Sequence, residues 1–312
     1  PATQTHAEAV EDAFTGHPMS AGKFFTDLVD HRRESTENKL IEELLGGKVT
    51  PEQVKALGYA LTLSDPWDHQ RIGFNLIIGR EFTALDYDMG TGKSKIVCDV
   101  VTATRPPFVL IACPKAVVDV WPIQFERHCQ AFRDGDVDVI SIADFNGTVA
   151  AKTEKIEKEM NKSRADSTVL IVNYDSAWRS SLARFLLSKE WDLGVCDEIH
   201  RIKSATGKAS KFFGTKLAPK CRRRVGLSGT MLPHSPMDAF GVYRFLNWRL
   251  FGRSFTQFRS RYAILVDRQQ YKMIVGYRNC DEMNRIIFSC THRVKKRDVL
   301  DLPPVTHVRI PI

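Results

Sequence analysis

A chain of 312 residues with 43% hydrophobic and 26% charged side chains has the composition of a folded globular protein with room for two domains, which excludes global disorder. No run of about 18 apolar residues suits a membrane helix. Pro1 to Val10 lacks a basic-then-apolar secretion signal, and seven scattered cysteines without a C-x-x-C argue against a disulfide framework or zinc ribbon, so an intracellular protein is expected, cytoplasmic (nucleoid) or nuclear.

The net charge of +8 is uneven: residues 1–66 hold six basic and eleven acidic side chains, which leaves +13 on the remainder. A basic body points to a polyanion partner, because Lys and Arg displace counterions from phosphate. The alternative is the mild basicity common to many cytoplasmic proteins.

Residues 1–66 are expected to be a separate helical piece. Phe24, Phe25, Leu28 and Val29 share one helical face, and Leu40, Ile41, Leu44 and Leu45 another, which Gly46 and Gly47 end. Thr50-Pro51-Glu52-Gln53 has the pattern of a capping box with Pro in the first turn. The stretch holds no catalytic motif, so it reads as a structural or partner-docking appendage.

From residue 67 short apolar runs alternate with amphipathic ones. Strands are expected at 82–85, 108–112, 137–140, 168–172, 193–196 and 224–227, with helical spacing between them, as at Ile96-Val97-Val100-Val101, Val118-Trp121-Phe125 and Trp178-Leu182-Phe185-Leu186. Such alternation means βαβ units, hence an α/β fold with a parallel sheet and helices on both faces. Ligands of such sheets sit at the carboxyl ends of the strands.

Two of those ends carry chemistry. Tyr87-Asp88-Met89-Gly90-Thr91-Gly92-Lys93-Ser94 follows a strand and opens a helix, the context of a phosphate loop. Gly90, Thr91 and Gly92 would bring backbone N–H groups to phosphate, Lys93 would reach the β and γ phosphates, and the Ser94 hydroxyl would bind Mg²⁺. Tyr87 stands where the full pattern has Gly, and a plain glycine turn is the alternative. Asp197-Glu198-Ile199-His200 follows the strand at 193–196. Beside a phosphate loop, Asp197 would hold Mg²⁺, Glu198 would orient or deprotonate the attacking water, and His200 would sense the γ phosphate. An isolated Asp-Glu pair would otherwise be a solvated loop.

The order phosphate loop, Asp-Glu-x-His, Ser-Gly-Thr resembles helicase superfamily two, and within it the Swi/Snf-type DNA translocases. Asp68-His69-Gln70, Cys113-Pro114-Lys115, Val172-Asn173-Tyr174-Asp175, the stretch from Asp197 to Ser204, Leu227-Ser228-Gly229-Thr230, and Arg293 to Leu300 followed by Leu302-Pro303-Pro304 carry the match, over about residues 67–312. Tyr87 for the usual Asp and Ser94 for the commoner Thr depart from it. The resemblance implies a RecA-like first motor lobe that binds ATP and Mg²⁺ and acts on double-stranded DNA. In it Gln70 would read the adenine edge. Lys115, Tyr174, Arg201 and Lys203 would contact DNA, and Ser228, Gly229 and Thr230 would couple nucleotide to DNA. It implies a helical protrusion over residues 236–290 and a lead-in at 291–312 to a second RecA-like lobe that would supply arginines to the γ phosphate. Strand-separating or RNA helicases of the superfamily, or a catalytically silent nucleotide-binding scaffold, are the competing readings. The basic cluster Lys220, Arg222, Arg223 and Arg224 would extend the DNA groove or merely guard a sheet edge.

Overall fold

The computed structural model describes residues 63–268 and 271–299. Almost all of the expected appendage at 1–66, and the lead-in from Leu300 onward, therefore lie outside the described residues. Six strands occur where apolar runs are found: β1 (Phe82–Tyr87), β2 (Phe108–Cys113), β3 (Val137–Ser141), β4 (Ser167–Asn173), β5 (Trp191–Asp197) and β6 (Cys221–Ser228). The run Ser167-Thr-Val-Leu-Ile-Val-Asn173 is buried along its whole length, as a strand covered on both faces must be.

Two antiparallel strands, β7 (Ala263–Arg268) and β8 (Tyr271–Tyr277), form a separate hairpin, and a short β9 (Thr291–Val294) completes the main sheet. The sheet has seven strands in the order β3-β4-β2-β5-β6-β1-β9, every neighbouring pair parallel. The chain leaves β1, crosses to β2 and β3 on one side, then returns through β4, β5 and β6 to β1. With right-handed crossovers this reversal puts helices on opposite faces. The helices agree. Among them, α1 (Asp68–Gly79), α2 (Lys93–Thr104) and α3 (Val120–His128) pack together, and α4 (Val149–Lys162) packs on α5 (Ser180–Ser188). Helix α6 (Ala239–Asn247) packs on the 212–217 turn and on β1 and β6. The α/β class with a parallel sheet is thus as expected. The carboxyl ends of β5, β6 and β1 lie side by side in the sheet.

The 236–290 segment differs from the expected run of helices. It holds α6, α7 (Phe255–Tyr262) and α8 (Cys280–Phe288), but the β7–β8 hairpin lies between the last two. Nor does α6 stand away from the lobe: eight of its nine residues are buried, Phe240, Tyr243 and Phe245 among them. Phe240, Phe251, Phe255, Phe258 and Tyr262 form one cluster with ring centroids 4.9 to 6.3 Å apart, so these aromatics pack inward. Residues 291–294, expected in a lead-in, are instead the edge strand of this lobe. The basic cluster also differs: Arg222–Arg224 lie within β6, at its amino end and so at the opposite edge of the sheet from the phosphate loop. Lys220 pairs with Glu190 at 2.5 Å, and the Arg224 side chain donates to the Ala218 carbonyl at 3.3 Å. Because β6 is paired on both sides, by β5 and β1, the cluster neither guards a sheet edge nor extends a groove at the strands' carboxyl ends.

Close packing of α6 fixes the segment after β5. A Cβ added at Gly241 would lie 2.1 Å from the Lys203 carbonyl oxygen, a main-chain atom that cannot swing aside. Gly241→Ala is therefore expected to destabilise the protein by about 2–3 kcal/mol through overpacking. Urea denaturation should show a lower midpoint with an unchanged slope; an unaltered midpoint would show that α6 shifts freely on that segment. All seven cysteines are buried and unpaired. Among the described residues no helix is long and apolar enough to cross a membrane.

Candidate nucleotide and polynucleotide site

The loop after β1 has the backbone of a phosphate cradle. Gly90 and Gly92 have φ of 84° and 83°, a left-handed conformation that side-chain-bearing residues rarely adopt. Gly92 is the cap of the twelve-residue α2, so the loop runs directly into a helix N-terminus. The Thr91 hydroxyl donates to the Asp88 carbonyl at 2.7 Å and tightens the turn. The Lys93 ammonium lies over the same turn, donating to the carbonyls of Tyr87 at 2.8 Å and Asp88 at 3.3 Å. Ser94 follows, half-exposed, in the first turn of α2.

Tyr87, the departure from the motif, has a structural explanation. Its ring is fully buried and points away from the cradle. Its hydroxyl donates to the His69 carbonyl at 2.7 Å and accepts from His292 Nδ1 at 2.7 Å, so it ties α1 to β9 behind the loop. Neighbouring residues are braced likewise. Asp86 pairs with Arg293 at 2.8 Å, while Asp88 accepts from the Lys296 main-chain N at 2.9 Å and lies 3.6 Å from the Lys295 ammonium. Sequence reasoning missed this bracing by β9.

The acidic pair sits two strands away. Asp197 ends β5 and Glu198 follows in a left-handed conformation, φ 51°. Burial lowers the Lys93 pKa, and both carboxylates are near enough to oppose it by favouring the charged form. Their own environments diverge. Burial raises the Asp197 carboxyl to about 6, opposed by a hydrogen bond from the Trp121 indole. A hydrogen bond from His200 holds Glu198 below the usual carboxylate range, with burial opposing. Between the two loops stands the end of β6. Ser228 Oγ donates to Glu198 Oε2 at 3.2 Å, meets His200 Nδ1 at 2.9 Å and accepts from the Thr230 main-chain N at 3.0 Å. Because the serine proton goes to Glu198, His200 must carry its proton on Nδ1. Gly229 lies against the phosphate loop, where an added Cβ would come 3.3 Å from the Tyr87 carbonyl oxygen. Lys93, Asp197, Glu198, His200, Ser228 and Gly229 are thus gathered at three adjacent strand ends.

Gln70 lies behind the same loop. It is buried, its Oε1 accepts from the Trp67 main-chain N at 3.1 Å, and its Nε2 donates to the Thr91 carbonyl at 3.2 Å. The amide thus braces the phosphate loop at Thr91. His69 Nε2 supports the same carbonyl at 2.9 Å.

On the outer side of β2, β4 and β5, Lys115 and Arg201 are exposed and line an open depression of about 560 Å³ together with Asp175 and Ala209. Tyr174 forms part of its wall. It is 6% exposed, packs edge-on against Phe213 and donates its hydroxyl to the Asp197 carbonyl at 2.7 Å, so it also supports the acidic loop from within. Lys203 is half-buried behind α6 and does not line the depression.

A family model described as the SNF2-related domain matches residues 19–310. The chain is 27% identical over 160 residues to the DNA repair and recombination protein RDH54 of Saccharomyces cerevisiae, covering 51% of this chain and 16% of that protein. It is 26% identical over 230 residues to chromodomain-helicase-DNA-binding protein 1-like of Danio rerio, covering 71% of this chain and 20% of that one. The chain thus spans a fifth or less of these relatives' length. A solved SWI2/SNF2 ATPase core from Sulfolobus solfataricus, in complex with dsDNA, shares the fold at a TM-score of 0.57 and 21% identity, over 77% of this chain and 46% of that one. With the family model spanning nearly every residue, and its RecA-like sheet carrying the loop and the acidic pair at strand ends on either side of β6, the chain belongs to the SNF2-related domain family.

Proposed function

We propose that this chain is the ATP-binding first lobe of an ATP-dependent double-stranded DNA translocase, hydrolysing ATP when paired with a second RecA-like lobe. One observation carries the reading: a glycine cradle with its lysine and an acidic pair lie at the carboxyl ends of β1 and β5, and between them the end of β6 sets Ser228 against Glu198 and Gly229 against the loop. The donor set fits a triphosphate with Mg²⁺. Among the described residues no cluster of three His, Cys, Asp or Glu could hold a metal alone. A divalent ion here would take most of its ligands from phosphate and water, as Mg²⁺ does. Ser94 and Asp197 would hold it, and its chemistry would be to neutralise charge between β and γ phosphates.

The chain's own residues do the rest. Gly90, Thr91 and Gly92 present main-chain N–H groups, and Lys93 exchanges its carbonyl partners for phosphate oxygens. Glu198, kept ionised by His200 and Ser228, orients the water. The Ser228–Thr230 turn connects that carboxylate to the rim of the lobe. A base contact through Gln70 would have to break its bond to Thr91 and so move the loop. Lys115 and Arg201 contact backbone phosphate, which positions a motor without reading sequence. Residues 1–66 are proposed as a protein-docking piece, and the setting as an intracellular, DNA-containing one.

The test is ATPase activity of the chain, alone and combined with a second lobe, in the presence of duplex DNA, single-stranded DNA or RNA. The chain alone should turn over slowly, since a missing arginine finger costs about 10³–10⁵ in rate. The combined motor should be stimulated by duplex. Stimulation by RNA only, or persistent inactivity with intact partners, would replace this reading by an RNA helicase or a scaffold.

A further inference from the structure

Asp197 is held from two sides by residues outside the acidic motif. The Trp121 indole Nε1 donates to Asp197 Oδ2 at 3.0 Å, a contact between residues 76 apart in the chain. The Tyr174 hydroxyl donates to the main-chain oxygen of the same residue at 2.7 Å. Trp121 is 2% exposed, in the first turn of α3. An indole N–H is a donor with no acceptor capacity, so when buried it must find one acceptor. An apolar core normally offers it a main-chain carbonyl, as Trp191 finds at Leu186. Trp121 is instead given a carboxylate, that of the last residue of β5.

We propose that Trp121 is a positioning residue: its indole N–H fixes the plane of the Asp197 carboxylate for ligation of the nucleotide-bound divalent cation. Each carboxylate oxygen carries two lone pairs, so the bond to Oδ2 sets the rotamer without exhausting the acceptors. Trp121 lies six residues after Lys115, whose side chain lines the depression with Arg201, and Tyr174 walls that depression too. Asp197 is therefore gripped by the two segments that also shape the polynucleotide face. The inference rests on Asp197 being the metal ligand, as argued above.

The test uses the whole chain with Mn²⁺ as the cation probe and a non-hydrolysable ATP analogue, free Mn²⁺ being read by electron paramagnetic resonance. Trp121→Phe keeps most of the apolar volume and removes the donor. It should weaken Mn²⁺ binding in the presence of analogue by about 10-fold or more, the usual effect of losing an outer-shell partner. Its affinity for the analogue in EDTA should stay within about two-fold, a split that general loosening of α3 would not produce. Asp197→Asn is the control. If it loses Mn²⁺ affinity and Trp121→Phe does not, the inference fails and the site reading stands. If Asp197→Asn retains full affinity, both fail. Should Trp121→Phe not fold, the assigned indole ¹⁵N–¹H resonance of Trp121 in the parent chain replaces it. That resonance should shift when Mg²⁺ is added to the analogue-bound protein, and a fixed resonance overturns the proposal.

Discussion

In the motor formed with a second lobe, Glu198→Gln should lower ATP turnover by about 10²–10⁴ and leave nucleotide affinity within about two-fold. A thousand-fold loss corresponds to about 4 kcal/mol of barrier. The geometry explains the split. The Glu198 carboxylate accepts from Ser228 at 3.2 Å and lies 3.2 Å from His200 Nδ1, both of them outside the cradle. Gln keeps an oxygen for those contacts and nearly the same shape, so the loop and the fold should persist. What disappears is the negative charge that faces the attacking water. His200 holds the carboxylate below its ordinary range, so at neutral pH it is ionised but only weakly basic. Orienting the water and stabilising its developing proton is then its larger contribution. Steady-state ATPase and binding of a fluorescent nucleotide decide the matter. Normal turnover would move the water-activating group elsewhere, and lost affinity would make Glu198 a binding residue.

The parts of this site that could be read without coordinates are those fixed by local chain geometry. Gly90 and Gly92 are required wherever a strand turns into a helix around an anion, and apolar runs such as Phe108-Val-Leu-Ile-Ala-Cys113 announce buried parallel strands whose ends must converge. The parts that could not be read depend on where side chains point. Strand β9 is Thr-His-Arg-Val, with no apolar run to mark it. It is a strand because Asp86 and Tyr87 supply partners for Arg293 and His292 across the register of β1. Gln70 sits at the expected place, yet packing of α1 on the loop turns its amide to Thr91. Tyr174 likewise follows the expected strand but is drawn inward by Phe213. Trp121 had one available signal: a tryptophan on the buried face of a helix needs a hydrogen-bond acceptor, and a strand-end carboxylate is a strong one. The hairpin at 263–277 was obscured by the helical spacing of the aromatics before it.

Asp197→Asn should make the nucleotide-free chain more stable at pH 7.5 by about 2–3 kcal/mol, although it removes the residue proposed to hold the cation. Burial raises the Asp197 carboxyl from 3.8 to about 6 in the folded protein. A carboxyl whose pKa is raised on folding favours the folded state only while protonated. Its stabilising contribution is complete below pH 3.8 and is lost as pH rises through about 6, above which an ionised carboxylate sits in a poorly solvated place. Asn is never ionised and can still accept from the Trp121 indole, so it escapes that penalty. The advantage of the variant should therefore shrink to about half by pH 5 and nearly vanish by pH 4. Denaturation of both proteins in urea at the three pH values gives the comparison. Equal stability at pH 7.5 would mean that water reaches the carboxylate freely in the native state. Saturating Mg²⁺ and ATP analogue should reverse the ranking, because a ligand that binds only the folded parent adds stability by mass action and the variant lacks the group that holds the ion. A stability defect at neutral pH that is cancelled by the cation is what a metal-binding carboxylate should show, whereas a carboxylate serving only to accept from Trp121 would be equally well replaced by Asn with or without the cation.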